Sequence, residues 1–182
     1  MGNVDKGLVA FRGRPMVASV LERLRPQVDE IMINANRNSD AYLRFGYPVI
    51  ADAIEGYAGP LAGLERGLAL AAHPLLVTVP CDSPLLPMDL VSRLHAQLSQ
   101  RGAQLAVAKT FDQPHPVFCL CRSDLRQHLS DYLARGGRKI DAWYATLDVV
   151  EVAFDDEASA FGNVNTRTEL RSLESQSPGD SQ

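Results

Sequence analysis

Side chains that could bind a charged ligand follow several apolar runs of this sequence. Asp82 comes directly after the uniformly apolar run Leu75–Val79, within the segment 80–84 (PCDSP). The flanking prolines stiffen that loop and would fix the direction of the carboxylate, as a hard-cation ligand for a Mg²⁺-nucleotide requires. Spacing alone supports equally well a turn or N-cap aspartate ahead of a helix that begins near Pro87.

Two other apolar runs also end in polar residues. Asn34 follows Ile31–Ile33, and Asp52 follows Val49–Ala51. Taken singly, asparagine and aspartate at such positions are ordinary turn formers. Taken together with Asp82, they predict a polar crescent that could hold a base, a ribose and a metal-bound phosphate.

A helix start and a lysine offer two further contacts for an anion. The segment 59–63 (GPLAG) opens a helix without a bulky side chain on its first turn, so its N–H groups could approach a ligand closely. A helix that simply starts at Pro60 explains the proline equally well. Lys6 carries the compact charge that meets nucleotide phosphates, although a lone lysine is normally just solvated.

Two segments of the second half could contact another substrate. Arg138 begins an adjacent basic pair that could meet a second phosphate, or that merely decorates a helix start. Asn163 and Asn165 lie in 161–166 (FGNVNT), ahead of the last predicted helix. Because N-capping explains one of these two asparagines, the other is a candidate for substrate binding.

The elements that must position these side chains alternate between helical and extended patterns. Helices are predicted near 17–24, 39–45, 60–72, 87–100, 123–135, 139–147 and 166–174, and strands at 30–34, 48–51, 75–79, 105–110, 117–120 and 149–154. Repeated βα units predict an α/β fold with a mostly parallel twisted sheet, helices on both faces and ligands outside the carboxyl ends of the strands. We expect 75–79 to be the most buried, central strand, and 105–110 with 117–120 to form an antiparallel or mixed edge.

Composition limits the partners and the location of the protein. With 182 residues and 46% hydrophobic residues, we predict one domain over 1–174 and a disordered tail at 175–182. A net charge of -4 and a pI near 5.5 leave no basic footprint for nucleic acid or an anionic membrane. Without a signal-peptide pattern or an apolar run long enough to span a membrane, a cytosolic protein is expected.

Cys119 and Cys121 would share one strand face as small buried apolar residues.

Six segments, in their order and spacing, resemble the molybdenum cofactor guanylyltransferase family. They are 4–8 (VDKGL), 13–15 (GRP), 34–37 (NANR), 59–63 (GPLAG), 81–84 (CDSP) and 161–166 (FGNVNT). Each segment is weak as a motif, but six in the right order across nearly the whole chain are hard to obtain by chance. The resemblance implies a Rossmann-like nucleotidyltransferase that joins GMP from Mg-GTP to the terminal phosphate of molybdopterin and releases pyrophosphate.

The same resemblance implies roles for particular residues. Those expected to contact GTP are Lys6 through the phosphates, Asn34 and Asp52 through the nucleoside, and Asp82 through the nucleotide and Mg²⁺ together. Asn163 and Asn165 would lie on the molybdopterin side, where Arg138 is a further candidate. The product would pass to partners through transient contact with cofactor-delivery proteins or apo-molybdoenzymes.

One departure from the family pattern concerns the first residues. The family begins with an apolar strand and a Gly-rich, Arg-containing loop ending in Arg-Met-Gly, whose backbone amides grip the triphosphate. Here Met1 coincides with the methionine of that loop. We therefore expect an N-terminally truncated chain, a reading frame that continues upstream for on the order of twenty residues, and no activity from the 182-residue form alone.

Other functions remain open at this point. A related transferase could use CTP with molybdopterin, or a sugar-phosphate nucleotidyltransferase could be built on the same fold, since fold alone does not determine substrate. The segments 34–37 (NANR) and 163–166 (NVNT) favour the guanylyl branch. An alternative of another class is a non-catalytic, truncated protein that binds molybdopterin or carries it to a partner.

Overall fold

The computed structural model describes residues 5–53 and 59–162, so the predicted last helix and tail lie outside the described residues. A 3₁₀ turn at Lys6–Leu8 opens the described chain. The α-helices are α1 (Met16–Leu24), α2 (Ser39–Leu43), α3 (Pro60–Leu70), α4 (Leu90–Arg101), α5 (Arg126–Ala134) and α6 (Ile140–Tyr144). The strands are β1 (Ala10–Phe11), β2 (Arg14–Pro15), β3 (Ile33–Asn34), β4 (Val49–Ile50), β5 (Leu75–Thr78), β6 (Leu105–Thr110), β7 (Gln113–Arg122) and β8 (Val149–Ala153). Of the helices described, none is long and apolar enough to cross a membrane.

The largest sheet contains strands of both directions. Its order is β5-β7-β6-β8, while β3 and β4 form a separate parallel pair and β1 and β2 a hairpin. Strand β7 is antiparallel to β5 and to β6, and β6 is parallel to β8. Three of the four strands of this sheet therefore run in one direction, and the predicted α/β class is confirmed.

Alternate residues of β6 pack into two different apolar cores. Ala106 and Ala108 belong to the core that contains α1 and α4, whereas Leu105 and Val107 belong to the core that contains α3, α5 and Trp143 of α6. Successive side chains of a strand point to opposite faces, so each core covers one face of the sheet. This confirms the prediction of helices on both faces.

The thiols of Cys119 and Cys121 lie on one face of β7, as the sequence predicted. Both side chains are buried in the core with α3 and α5. Burial raises the pKa of each thiol, so both stay protonated at neutral pH. Their role is that of small apolar residues.

The expectation that 75–79 forms the buried centre of the sheet was wrong. Within the described residues, β5 pairs with β7 alone, at the edge of the four-stranded sheet, and its side chains are half-buried. Strands β6 and β7 pair antiparallel, as predicted for 105–110 and 117–120, but they occupy the centre of this sheet rather than an edge. An apolar run shows that a strand can be covered on both faces, but it does not specify how many ladder partners the strand has.

A cavity of ≈ 530 Å³ lies beside β5, one edge of which has no ladder partner among the described residues. Its mostly apolar lining comes from strands β3 and β5 and from helices α1 and α3. In the part of the chain that the structure describes, β3 pairs with β4 alone. Two strand edges without a ladder therefore line the same cavity, and such edges present unpaired N–H and C=O groups.

Amide hydrogen exchange should divide β5 into two classes of residue. In an antiparallel pair, alternate residues direct their N–H groups to the partner strand and the others point away from it. We expect alternate amides of Leu75–Thr78 to exchange at least about tenfold faster than their neighbours, because they lack a ladder acceptor. NMR-detected exchange measures this, with β6 as the control because β7 and β8 flank it on both sides. Uniform protection along β5 would show that another strand covers its edge in solution.

Candidate functional site

Lys6 and Asp82 meet at the carboxyl end of β5. The Nζ atom of Lys6 lies 3.6 Å from Oδ2 of Asp82, and the two side chains are 36% and 14% exposed. Lys6 comes from the 3₁₀ turn near the N-terminus, and Asp82 from a turn that follows β5. The fold thus brings together a cation and a carboxylate from remote parts of the sequence, where a ligand can reach both.

The interpretation of Asp82 as a helix N-cap is wrong. Helix α4 begins at Leu90, with Asp89 at the N-cap position, rather than near Pro87 as the sequence predicted. The residues after Pro87 form a turn first, and the N–H of Leu90 contacts the Pro87 carbonyl at 3.4 Å. Asp82 does lie in a turn, so turn formation and ligand binding remain its two possible roles.

Asn34 and Asp52 form a second polar cluster at the ends of β3 and β4. Asn34 Nδ2 donates a hydrogen bond to Asp52 Oδ1 at 3.0 Å, and Asn36 Nδ2 donates to Asp52 Oδ2 at 2.7 Å. The backbone N–H of Asp52 donates in return to Asn36 Oδ1 at 2.9 Å. The parallel register, which sets Asn34 opposite Ile50, produces this meeting. No individual role was predicted for Asn36 of the NANR segment. The amide side chain, which can both donate and accept hydrogen bonds, was the feature of the sequence that could have indicated one.

The first turn of α3 packs against this second cluster. A Cβ atom on Gly63 would lie 2.8 Å from Asn34 Oδ1, so a larger residue at this position would displace the Asn34 side chain. Gly59 precedes the helix with φ of 69°, a conformation that favours glycine. Pro60 has no N–H group, and that of Ala62 already donates to the Gly59 carbonyl at 3.2 Å, so this first turn offers fewer free donors than most helix starts.

One cavity adjoins both polar clusters. Asn34 and Gly63 line it on one side, and Cys81, the neighbour of Asp82, lines it on another. Burial raises the pKa of the Cys81 thiol to about 11, and the negative charges of Asp82 and Asp5 add to the shift. The thiol is therefore protonated at neutral pH and unsuited to act as a nucleophile.

Of the residues predicted for the second substrate, Arg138 lies among the described residues, and its hydrogen bonds are made at the end of α5 rather than to these clusters. Arg138 Nη1 donates to the carbonyl oxygens of Leu133 at 2.8 Å and Gly137 at 2.6 Å, which supports the end of α5. Asn163 and Asn165 lie outside the described residues. A role for these three side chains in substrate binding stays a prediction.

Sequence reasoning passed over two residues beside Lys6. Tyr42 and Asn38 both donate hydrogen bonds to the carboxylate of Asp5, the residue that precedes Lys6. A tyrosine at helical spacing is ordinarily a core residue, and an asparagine ahead of a helix is ordinarily a cap. No local pattern distinguishes these two from such residues.

Two solved structures show which fold this chain has. Molybdopterin-guanine dinucleotide biosynthesis protein A from Archaeoglobus fulgidus aligns with a TM-score of 0.78 at 23% identity, over 94% of this chain and 90% of that one. The 2-C-methyl-D-erythritol 4-phosphate cytidylyltransferase from Thermus thermophilus aligns with a TM-score of 0.70 at 16% identity, over 93% and 92%. At such identities these likenesses show the fold alone, which is that of a nucleotidyltransferase.

Sequence comparison narrows this class to a family. Residues 1–149 match the family model described as MobA-like NTP transferase domain. Two relatives named molybdenum cofactor guanylyltransferase are each 50% identical to this chain. The one from Ralstonia nicotianae aligns over 95% of this chain and 89% of its own length, and the one from Cupriavidus taiwanensis over 96% and 89%. The chain belongs to the molybdenum cofactor guanylyltransferase family.

Proposed function

We propose that this protein transfers GMP from Mg-GTP to the terminal phosphate of molybdopterin, forming the guanine dinucleotide cofactor and pyrophosphate. The observation that carries the proposal is the Lys6–Asp82 pair at the carboxyl end of β5. It occurs in a chain that is 50% identical to a relative named molybdenum cofactor guanylyltransferase. An ammonium and a carboxylate side by side suit a triphosphate together with its divalent cation.

Each cluster takes one part of the nucleotide in this proposal. Lys6 contacts the phosphates, and Asp82 contacts the nucleotide and its cation. Asn34 and Asp52 contact the nucleoside, because their mutual hydrogen bond holds both side chains in one orientation at the strand ends. Ligands of open α/β sheets bind at such ends.

Asp82 fits the role of a Mg²⁺ ligand. Among the residues described, no group of three or more His, Cys, Asp or Glu side chains could hold a metal ion by itself. Mg²⁺, however, is usually bound by one or two carboxylates together with substrate phosphates and water. The 3.6 Å between Lys6 and Asp82 is longer than a hydrogen bond, so the carboxylate keeps oxygen lone pairs for coordination. Bound there, the ion would supply Lewis-acid stabilisation at the α-phosphate.

The reaction needs positioning more than it needs a reactive side chain. An oxygen of the molybdopterin phosphate attacks the α-phosphorus of GTP in line, the bond from that phosphorus to the bridging oxygen breaks, and pyrophosphate leaves. The protein holds two anions in this geometry and offsets their charge. A protonated Cys81 agrees with direct transfer without a covalent enzyme intermediate.

Further parts of the proposal concern the second substrate and the partners. Arg138, Asn163 and Asn165 are the candidates for molybdopterin binding. A cytosolic location and transient contact with cofactor-delivery proteins or apo-molybdoenzymes suit a biosynthetic transferase whose product is handed on.

The nucleotide preference tests the proposed function. The protein, given Mg²⁺ and molybdopterin, should consume GTP in preference to ATP, CTP and UTP, with release of pyrophosphate and formation of a molybdopterin–GMP product. Mass spectrometry of the product and a coupled pyrophosphate assay measure this, and omission of molybdopterin is the control. Equal turnover of CTP would contradict the guanylyl assignment.

A further inference from the structure

The carboxylate of Asp5 is held by two donors from a distant segment. Tyr42 Oη, in α2, donates to Asp5 Oδ1 at 2.6 Å, and Asn38 Nδ2 donates to Asp5 Oδ2 at 3.0 Å. Tyr42 is 3% exposed and its hydrogen bond to Asp5 is partly buried, so water competes with this bond less than at the surface. We call Asp5, Asn38 and Tyr42 the Asp5 clamp.

Asp5 and Asn38 do not act as helix N-caps, although their residue types favour that role. Asp5 occupies the N-cap of the turn Lys6–Leu8, and Asn38 occupies the N-cap of α2, yet within the described residues neither side chain caps its own element. Aspartate and asparagine are favoured N-caps because their oxygens accept from helical N–H groups. Asn38 adopts φ of 55°, which asparagine tolerates better than most residues. Their side chains are joined to each other instead.

The Asp5 clamp lies one residue away from Lys6. The carbonyl of Asp5 accepts from the N–H of Leu8, and that of Lys6 accepts from the N–H of Val9, both at 3.1 Å. Because each residue has two soft backbone dihedrals, holding Asp5 at both its carboxylate and its carbonyl limits the direction in which Lys6 leaves the turn. That direction is toward Asp82.

The Tyr42 phenol also lies against the loop that carries Asp82. A Cβ atom on Gly7 would come within 2.6 Å of Tyr42 Oη and 2.9 Å of Cys81 Sγ, so the turn packs closely on both side chains. Burial raises the pKa of Tyr42, and its hydrogen bond to Asp5 raises it further, so the phenol remains a donor at neutral pH. Tyr42 therefore contacts both the turn that contains Lys6 and the loop that contains Asp82, which fixes the two segments relative to each other.

We propose that Tyr42 and Asn38 are positioning residues for nucleotidyl transfer, and that they act through Asp5 to hold Lys6 opposite Asp82. The kinetic consequences rest on the proposed function, whereas the effect on Lys6 does not. Neither residue needs to touch a substrate. An unrestrained lysine loses considerable rotamer entropy when it is ordered, and the Asp5 clamp reduces that loss at the moment of binding.

Removal of the Tyr42 hydroxyl tests the kinetic part. Tyr42→Phe keeps the ring, and we expect kcat/KM for GTP to fall about tenfold because Lys6 is less well placed. Tyr144→Phe, which removes a hydroxyl that donates to the Pro116 carbonyl at 2.7 Å, is the matched control and should leave kcat/KM unchanged. In a Lys6→Met background, Tyr42→Phe should have no further effect. The same fall in both backgrounds would overturn the proposal and make Tyr42 a structural residue.

Lysine side chains give a readout that does not depend on turnover. The sequence contains three lysines, at positions 6, 109 and 139, so NMR of protein labelled with ¹³C at Cε can follow each one, with Lys6→Met for assignment. Tyr42→Phe should shift the Lys6 resonance and leave the other two unchanged, and Tyr144→Phe should shift none. An unmoved Lys6 resonance in Tyr42→Phe would overturn the proposal. A shifted resonance in a protein that transfers no GMP would support the Asp5 clamp and contradict the proposed function alone.

Discussion

Replacement of Asp82 by asparagine should lower kcat for GMP transfer by roughly two to three orders of magnitude, the usual scale for removing one preorganised electrostatic contact. The amide keeps the size of the side chain but loses the negative charge that would hold Mg²⁺ and that faces Lys6 across 3.6 Å. Thermal stability should change little, since a partly exposed ion pair contributes at most about 1 kcal/mol. Steady-state kinetics with Mg-GTP and molybdopterin measure the first effect, and calorimetric unfolding of the protein measures the second.

Asp89 provides the matched control for this substitution. It stands at the N-cap position of α4 and pairs with Arg93 at an N–O distance of 3.6 Å, the same as that between Lys6 and Asp82. Asp89→Asn should leave kcat unchanged. Near-normal turnover of Asp82→Asn would reduce Asp82 to a turn former, and a large loss of stability would mean that its carboxylate mainly supports the loop.

Lys6→Met should lower kcat/KM for GTP by about a hundredfold, because it removes the one compact positive charge that the proposal sets against the triphosphate. Methionine keeps the apolar stem of the side chain, so packing is largely retained. The loss should fall on GTP, and the KM for molybdopterin should change little. Initial rates measured with each substrate varied at saturating levels of the other separate the two.

Lys109 is the control for Lys6. Its ammonium lies 2.8 Å from Glu151 Oε2, in an ion pair between β6 and β8. Lys109→Met removes the same charge from a comparable ion pair and should leave kcat/KM for GTP unchanged. If Lys6→Met leaves kcat/KM for GTP unchanged, as Lys109→Met should, then Lys6 forms an ion pair with Asp82 but does not bind the nucleotide.

Short-range patterns predicted the six α-helices of the described residues and several of their ends. Helix α3 begins at Pro60, as the proline indicated, and Gly102 follows α4 with φ of 63°, the left-handed conformation common after a helix. Strand β6 has the bounds that its apolar run predicted. Capping and apolar periodicity act over one or two turns of chain, so the local sequence contains most of this information.

The extent and place of the strands were predicted less well. The pattern at 30–34 predicted five strand residues, whereas the ladder described there spans Ile33–Asn34. The run 75–79 lies at an edge, and β7 takes the place between β5 and β6. A strand is defined by the partners that satisfy its N–H and C=O groups, and these partners are distant in sequence.

The candidate site divides in the same way. Polar residues after apolar runs pointed to Asn34, Asp52 and Asp82, but the hydrogen bond between the first two depends on the register of β3 with β4. The Asp5 clamp had no local signal, and the amide type of Asn36 did not reveal that its partner is Asp52. Hydrogen bonds between segments far apart in the chain cannot be inferred from the types of their residues.

By itself, the sequence indicated the class of chemistry, through six ordered segments that resemble one family and through carboxylate, amide and lysine side chains that could bind a nucleotide and its cation. The tertiary structure decided which of them meet. It set Lys6 opposite Asp82, joined Asn34 to Asp52 and left an edge of β5 facing a cavity. The physical reason is that distances between remote segments come from ladder pairing and core packing, which are properties of the whole fold.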